Sequence, residues 1–202
     1  MRRPQENPKT KQKLLDAAED LMLKKGYAAT SVDDICQAVH VTKGSFFHYF
    51  KSKDALGKVV LERFCCQQKE KMQETCCSDN REQDPLKRVY SYVDCVIKMS
   101  KDPNSKGCLV GTFAQELSLT HPHMRLLCEQ SFSTWSKIFK ENLKEAKSRY
   151  VPKADFDVQS LSEHFLAVFE GAQVLARAKK DKKVIEKSMQ HFKRYLKSLF
   201  KQ

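Results

Sequence analysis

Four prolines divide the chain beyond residue 84 into pieces of helix length. Pro85, Pro103, Pro122 and Pro152 lie 18, 19 and 30 residues apart. Proline fits the first turn of a helix but not its interior, so each marks the edge of an element. The stretches 85–101, 106–119, 121–148, 156–178 and 181–201 all place apolar residues at helical spacing. The last is clearest. Ile185, Met189, Phe192, Leu196 and Leu199 form one stripe, and Lys182, Lys183, Lys187, Lys193, Arg194 and Lys197 take the other faces. With only 6 Gly and 6 Pro in 202 residues, the chain is poor in tight turns, which argues against a many-stranded sandwich or barrel.

The first half reads the same way, through caps. Leu14, Leu15, Ala18, Leu21 and Met22 are spaced for a first helix that Gly26 ends. Thr30 is the expected cap of a second, short helix, with Asp33 at its third position. Thr42 caps a third helix, Lys43 to Phe50, and Ser52 a fourth running toward Cys77. Three helices thus lie between residues 9 and 50, the second and third joined by a short turn. That is the spacing of a helix-turn-helix. The polar stretch 78–85 reads as a loop. The expected fold class is all-α, with about nine helices and no sheet.

Charge and cysteine content narrow the function. The net charge is +12, but the body is balanced. The excess sits at two ends, +4 over residues 1–13 and +8 over residues 177–202. A basic end is either an anion-binding arm or a solvated helix face. No apolar run reaches the length of a membrane span. The basic start lacks the apolar stretch of a secretory signal, so a cytosolic protein is expected. In that compartment the eight cysteines do not suggest a disulfide framework. There is no CxxC, and the Cys65-Cys66 and Cys76-Cys77 doublets lie about 16 Å apart along one helix, too far to share a zinc ion. Most are expected to be small buried hydrophobes. No nucleophile motif, phosphate loop or metal cluster suggests an enzyme, and His121 and His123 lack partners for a metal site.

The stretch GYAATSVDDICQAVHVTKGSFFHYFKSKDAL (26–56) resembles the DNA-binding domain of the TetR family of transcriptional regulators. The matching pieces are Gly26-Tyr27, Thr30-Ser31, Asp34-Ile35, Val41-Thr42-Lys43-Gly44-Ser45, His48-Tyr49-Phe50 and Ser52-Lys53-Asp54. The resemblance implies a DNA-binding domain over 1–52 and an effector-binding and dimerisation domain over 53–202. It also implies that the third helix enters the major groove. Thr30, Thr42, Lys43, Gly44, Ser45, Phe47, His48, Tyr49 and Lys53 are then the DNA-binding candidates. Among these, Tyr49 and Lys53 resemble the family's phosphate contacts, while Ser45 and His48 share one face suited to bases or phosphates. Phe46 and Phe50 are expected to pack inward. His40 stands where the family usually has Gly, at some backbone cost. Arg2, Arg3, Lys9 and Lys11 form a basic arm ahead of the first helix.

For the remainder, the resemblance implies a small-molecule effector and a homodimer, with no cofactor and no metal. Candidate ligand-binding residues are Cys108, Phe113, Glu116, Trp135, Phe139, Phe165, Phe169 and Gln173. Candidate dimer-interface residues are Ala167, Gly171, Ala172, Ile185, Met189, Phe192 and Leu196. A second stretch, SKGCLVGTFAQELSLTHP (105–122), resembles one branch of the family. It places Cys108 beside Lys106 at a helix start, where a thiolate is favoured. The expected function is a homodimeric repressor released from palindromic double-stranded operator DNA by a small-molecule effector. The alternatives are an effector-independent regulator or activator, and a cysteine-based redox or electrophile sensor.

Overall fold

The structure is a computed structural model that describes residues 8–76, 84–102 and 105–201. Arg2, Arg3, Cys77, residues 78–83 and Pro103 lie outside the described residues. Among those described there are nine helices and no strand. They are α1 (Pro8–Lys25), α2 (Val32–Ala38), α3 (Lys43–Tyr49), α4 (Lys53–Cys76), α5 (Pro85–Ser100), α6 (Leu109–Leu117), α7 (Pro122–Tyr150), α8 (Val158–Lys179) and α9 (Lys183–Leu199). Pro8, Pro85 and Pro122 each open a helix, as their missing N–H dictates. Lys9 and Lys11 fall inside α1, not ahead of it.

The chain packs as two compact units, and their division differs from a cut at residue 52. One unit is the chain up to Gln67 together with Cys108–Cys128; the other is Gln68–Gly107 with Glu129–Gln202. The first turns of α4 explain part of the difference. Leu56, Val60, Leu61 and Phe64 are all buried, and Arg63 donates to Asp16 at 2.7 Å and Glu19 at 2.6 Å on α1. A break at residue 52 would separate these partners.

In the first unit α1 packs on α2 and on α6, and α2 packs on α3. Leu14, Ala18, Met22, Ile35, Phe46, Leu109 and Phe113 are all excluded from solvent. In the second unit one core gathers α5, α7, α8 and α9 around four aromatics. Phe139 stacks on Phe165 with centroids 4.6 Å apart, and Tyr92 and Phe192 close around them.

The α9 stripe belongs to this core. Ile185, Met189, Phe192 and Leu196 are buried within the protomer. These four, read from sequence as interface residues, are therefore packed inside the chain. A stripe at helical spacing marks a buried face without saying what buries it. Ala172 is buried as well, whereas Ala167 and Gly171 are exposed, with open space beyond Gly171. Val174, Leu175 and Tyr195 are large exposed apolar residues on α8 and α9.

The cysteines divide. Cys36, Cys108 and Cys128 are buried, Cys65 half-buried and Cys66 exposed, all with free thiols. Burial, with the neighbouring Cys65, pushes the Cys128 thiol up to about 11. Cys95 is disulfide-bonded, against the sequence expectation. The compartment argument concerns whether a disulfide persists, not whether two cysteines can meet.

Candidate nucleic-acid interface

The helix-turn-helix is built by local capping. α2 starts one residue later than the sequence suggested. Its cap is Ser31, whose hydroxyl accepts the Asp34 N–H at 3.0 Å while the Asp34 carboxylate accepts the Ser31 N–H at 2.7 Å. This is a reciprocal capping box. Thr30 is displaced inward, fully buried, and its hydroxyl donates to the Gly26 carbonyl at 2.7 Å. A side chain so buried, with its hydroxyl bonded to the preceding turn, has no surface to offer a DNA duplex. Lys25 pairs with Asp34 at 2.8 Å. This contact and the Ser31 bonds hold the Asp34 carboxyl well below the usual carboxylate range.

The turn between α2 and α3 uses His40 at φ +56°, a left-handed conformation that L side chains adopt at some cost. Thr42 then caps α3, its hydroxyl accepting the Ser45 N–H at 3.2 Å. Phe46 and Phe50 are buried and hold one face of this seven-residue helix inward. The opposite face is open. Thr42, Lys43, Gly44, Phe47 and His48 are exposed, and Ser45 and Tyr49 half-buried. Phe47 is 52% exposed and packs edge-on to Phe46 at 5.2 Å. His48 meets Tyr49 at 4.9 Å. Lys43 pairs with Asp33 of α2 at 3.0 Å, with both side chains largely solvated. The pair is weak and exchangeable. The arrangement is a short helix anchored by phenylalanines that presents hydroxyl, ammonium, imidazole and apolar groups to solvent.

Lys53 differs from its neighbours. Its ammonium donates to the Tyr27 and Thr30 carbonyls, both at 3.0 Å, and lies 4.2 Å from the centre of the Tyr27 ring. Two of its three N–H groups thus hold the turn between α1 and α2. The Tyr27 hydroxyl donates to Asp54. Burial first, then this bond and the Asp54 charge, push the phenol above its ordinary value. His121 approaches the same Asp54 at 3.6 Å and meets the Tyr27 ring at 6.0 Å. This web was not read from sequence. Tyr27 and Asp54 stood inside the recognised motif, but Glu116 and His121 are about ninety residues away, with no local signal linking them to it.

The eight expected ligand-binding residues fall in both units. Phe113 is buried and packs edge-on to Tyr27 at 5.3 Å. Glu116 accepts the Tyr27 and Ala28 N–H groups at 3.2 and 2.8 Å. Cys108 is itself the cap of α6, its sulfur accepting the Gly111 N–H at 3.3 Å. In the second unit Phe139 and Phe165 are core residues. Trp135 is half-buried, and its carbonyl accepts the Tyr92 hydroxyl at 2.7 Å. Phe169 and Gln173 are also half-buried on α8. Among the described residues no group of three or more His, Cys, Asp or Glu side chains could hold a metal ion. No described helix is long and apolar enough to cross a membrane.

Fold and exposed helix together define a helix-turn-helix DNA-binding protein. The chain matches the bacterial regulatory proteins of the tetR family over residues 14–59 and the tetracyclin repressor-like C-terminal domain over residues 85–192. It is 30% identical over 180 residues to an uncharacterized HTH-type transcriptional regulator of the lacX 3' region of Lactococcus lactis, covering 88% of each chain. It is 26% identical over 176 residues to the HTH-type transcriptional repressor DhaR of Mycobacterium sp. strain GP1, covering 87% of this chain and 86% of that one. The crystal structure of regulatory protein TetR from Rhodobacter sphaeroides superposes with a TM-score of 0.77 at 26% identity, over 91% of this chain and 96% of that one. The chain belongs to the TetR family of transcriptional regulators and is a DNA-binding regulator.

Proposed function

We propose that two copies of this chain bind a two-fold symmetric operator as a repressor and that a small-molecule effector releases them. The observation that carries the reading is the open face of α3, with Thr42, Lys43, Phe47 and His48 outward and Phe46 and Phe50 anchoring the helix from behind. In a dimer, two such helices read half-sites about 34–36 Å apart, one turn of B-DNA, or a near multiple. Because the α9 stripe is packed inside the protomer, the dimer seam is assigned to Ala167, Gly171, Val174 and Leu175 of α8 with Tyr195 of α9. The effector acts by binding the state with the wrong half-site separation, so operator affinity falls by the coupling free energy. Phe169, Gln173 and Trp135, half-buried in the second unit, remain the candidates for its site. The test is selection of duplexes from a random pool by the full-length protein at physiological salt. Enrichment of an inverted repeat supports the reading, and recovery of no preferred sequence sinks it.

A second reading rests on Cys108. Its sulfur caps α6 and accepts the Gly111 N–H at 3.3 Å, at the positive end of the helix dipole. In this reading its modification by an electrophile or oxidant replaces the effector. Treatment with N-ethylmaleimide should then release the selected duplex from the wild type but not from Cys108→Ser.

A further inference from the structure

The turn between α1 and α2 is held by a residue that belongs to neither helix. Gly26 has φ +89°. After it the Tyr27 and Ala28 N–H groups point the same way and form a small concave nest of amide donors, a shape that binds anions. The Glu116 carboxylate fills that nest, one oxygen per amide, at 3.2 and 2.8 Å. The backbone conformation of Gly26 is costly for other residues, and a Cβ there would collide with Glu116 Oε1.

The turn so held sets where the reading helix stands. Thr30, at its end, is tied to Gly26 and Tyr27, and Ser31 immediately caps α2. α2 in turn packs on α3. Glu116 lies on α6, which begins at Leu109, next to the point where the chain passes from the second unit into the first at Gly107 and Cys108. Phe113, one turn earlier on α6, presses on the Tyr27 ring. α6 therefore holds the turn by a carboxylate and an aromatic ring together.

We propose that Glu116 is a positioning residue for operator recognition: its carboxylate, seated in the amide nest of the α1–α2 turn, fixes how α2 and α3 leave α1. It rests on the operator-binding reading above. Glu116 itself is solvent-exposed, so replacing it opens no cavity. Both hydrogen bonds are to an ionised acceptor and are individually stronger than neutral ones.

The experiment compares full-length wild type, Glu116→Gln and Glu116→Ala. Hydrogen exchange of the Tyr27 and Ala28 amides is read without DNA. Affinity is read against the duplex that the wild type selects from a random pool. Glu116→Ala should lose protection at both amides and Glu116→Gln, which keeps one acceptor oxygen, at one of them, and both should bind the duplex about three- to tenfold more weakly. The slope of affinity against salt should stay unchanged, because no phosphate contact is removed. Acetate in place of chloride should recover affinity in Glu116→Ala beyond any change in wild type, since the free anion can occupy the vacated nest. Unchanged amide exchange, or unchanged or tighter DNA binding, overturns the proposal. So does an affinity loss explained by a lowered melting temperature. If the wild type selects no duplex, the repressor reading fails on its own, and amide exchange alone still decides whether Glu116 holds the turn.

Discussion

The Lys53 ammonium lies over the Tyr27 ring and donates to the Tyr27 carbonyl at 3.0 Å. A lysine at the start of α4 therefore joins the first turn of that helix to the end of α1. Replacing it with alanine should cost about 1–3 kcal/mol of stability, the usual effect of removing a charged partner from part-buried acceptors. Urea denaturation measures this. The salt slope of DNA binding should change by less than about half a unit. A slope lower by about one would place Lys53 among the phosphate contacts instead.

Phe46 and Phe47 are adjacent and should behave oppositely. Phe46 is fully buried, so Phe46→Ala should destabilise the fold by about 3–5 kcal/mol. Phe47 is half in solvent, so Phe47→Ala should leave stability within about 0.5 kcal/mol. It should nonetheless weaken binding to the selected duplex and relax base preference at one position of each half-site. Thermal melts and a repeated duplex selection measure both effects. Preserved preference in Phe47→Ala would remove that residue from the interface.

Asp34 predicts a particular acid sensitivity. Its carboxyl is held below its ordinary value of 3.8 by Lys25 first and then by Ser31. A depressed folded pKa contributes stability above the unfolded value, and that contribution disappears as pH falls through the folded one. Unfolding midpoints should therefore drop as pH is lowered from about 4 toward about 2. Asp34→Asn should flatten that part of the profile, and an identical profile in the variant would reject the assignment.

Val174 and Met189 separate a surface role from a core role. Val174 is 48% exposed and Met189 fully buried. Val174→Glu should keep the helical content of the protein while shifting sedimentation toward the monomer. Met189→Ala should cost about 2–5 kcal/mol without a specific change in assembly. If Val174→Glu sediments as wild type, the seam lies elsewhere.

Much of this fold was legible because its signals are local. Proline positions, the Thr42 and Ser52 caps and the inward spacing of Phe46 and Phe50 each depend on residues a few positions apart. The site was half legible for the same reason. The motif at 26–56 marked α3 and its exposed face, while the local capping pattern placed the α2 cap at Thr30 with Asp33, one residue ahead of the Ser31–Asp34 box. The stripe on α9 was visible, yet periodicity cannot distinguish a protomer's core from a mate's surface. Glu116 and His121 lay inside the recognised stretch 105–122, but nothing in it linked them to the turn after α1. Their partners are about ninety and sixty-seven residues away, and only packing brings them together.

The inclusion of Cys108–Cys128 in the first unit bears on attempts to exchange reading heads among relatives. A chimera joined at residue 52 or 67 would give the grafted helices a foreign α6. The new Tyr27 would then meet someone else's Phe113, and the amides of its turn someone else's Glu116. The modular part of this protein is discontinuous in sequence. A transplant that keeps its native operator preference must carry two segments, the N-terminal helices and the short stretch that returns to them forty residues later.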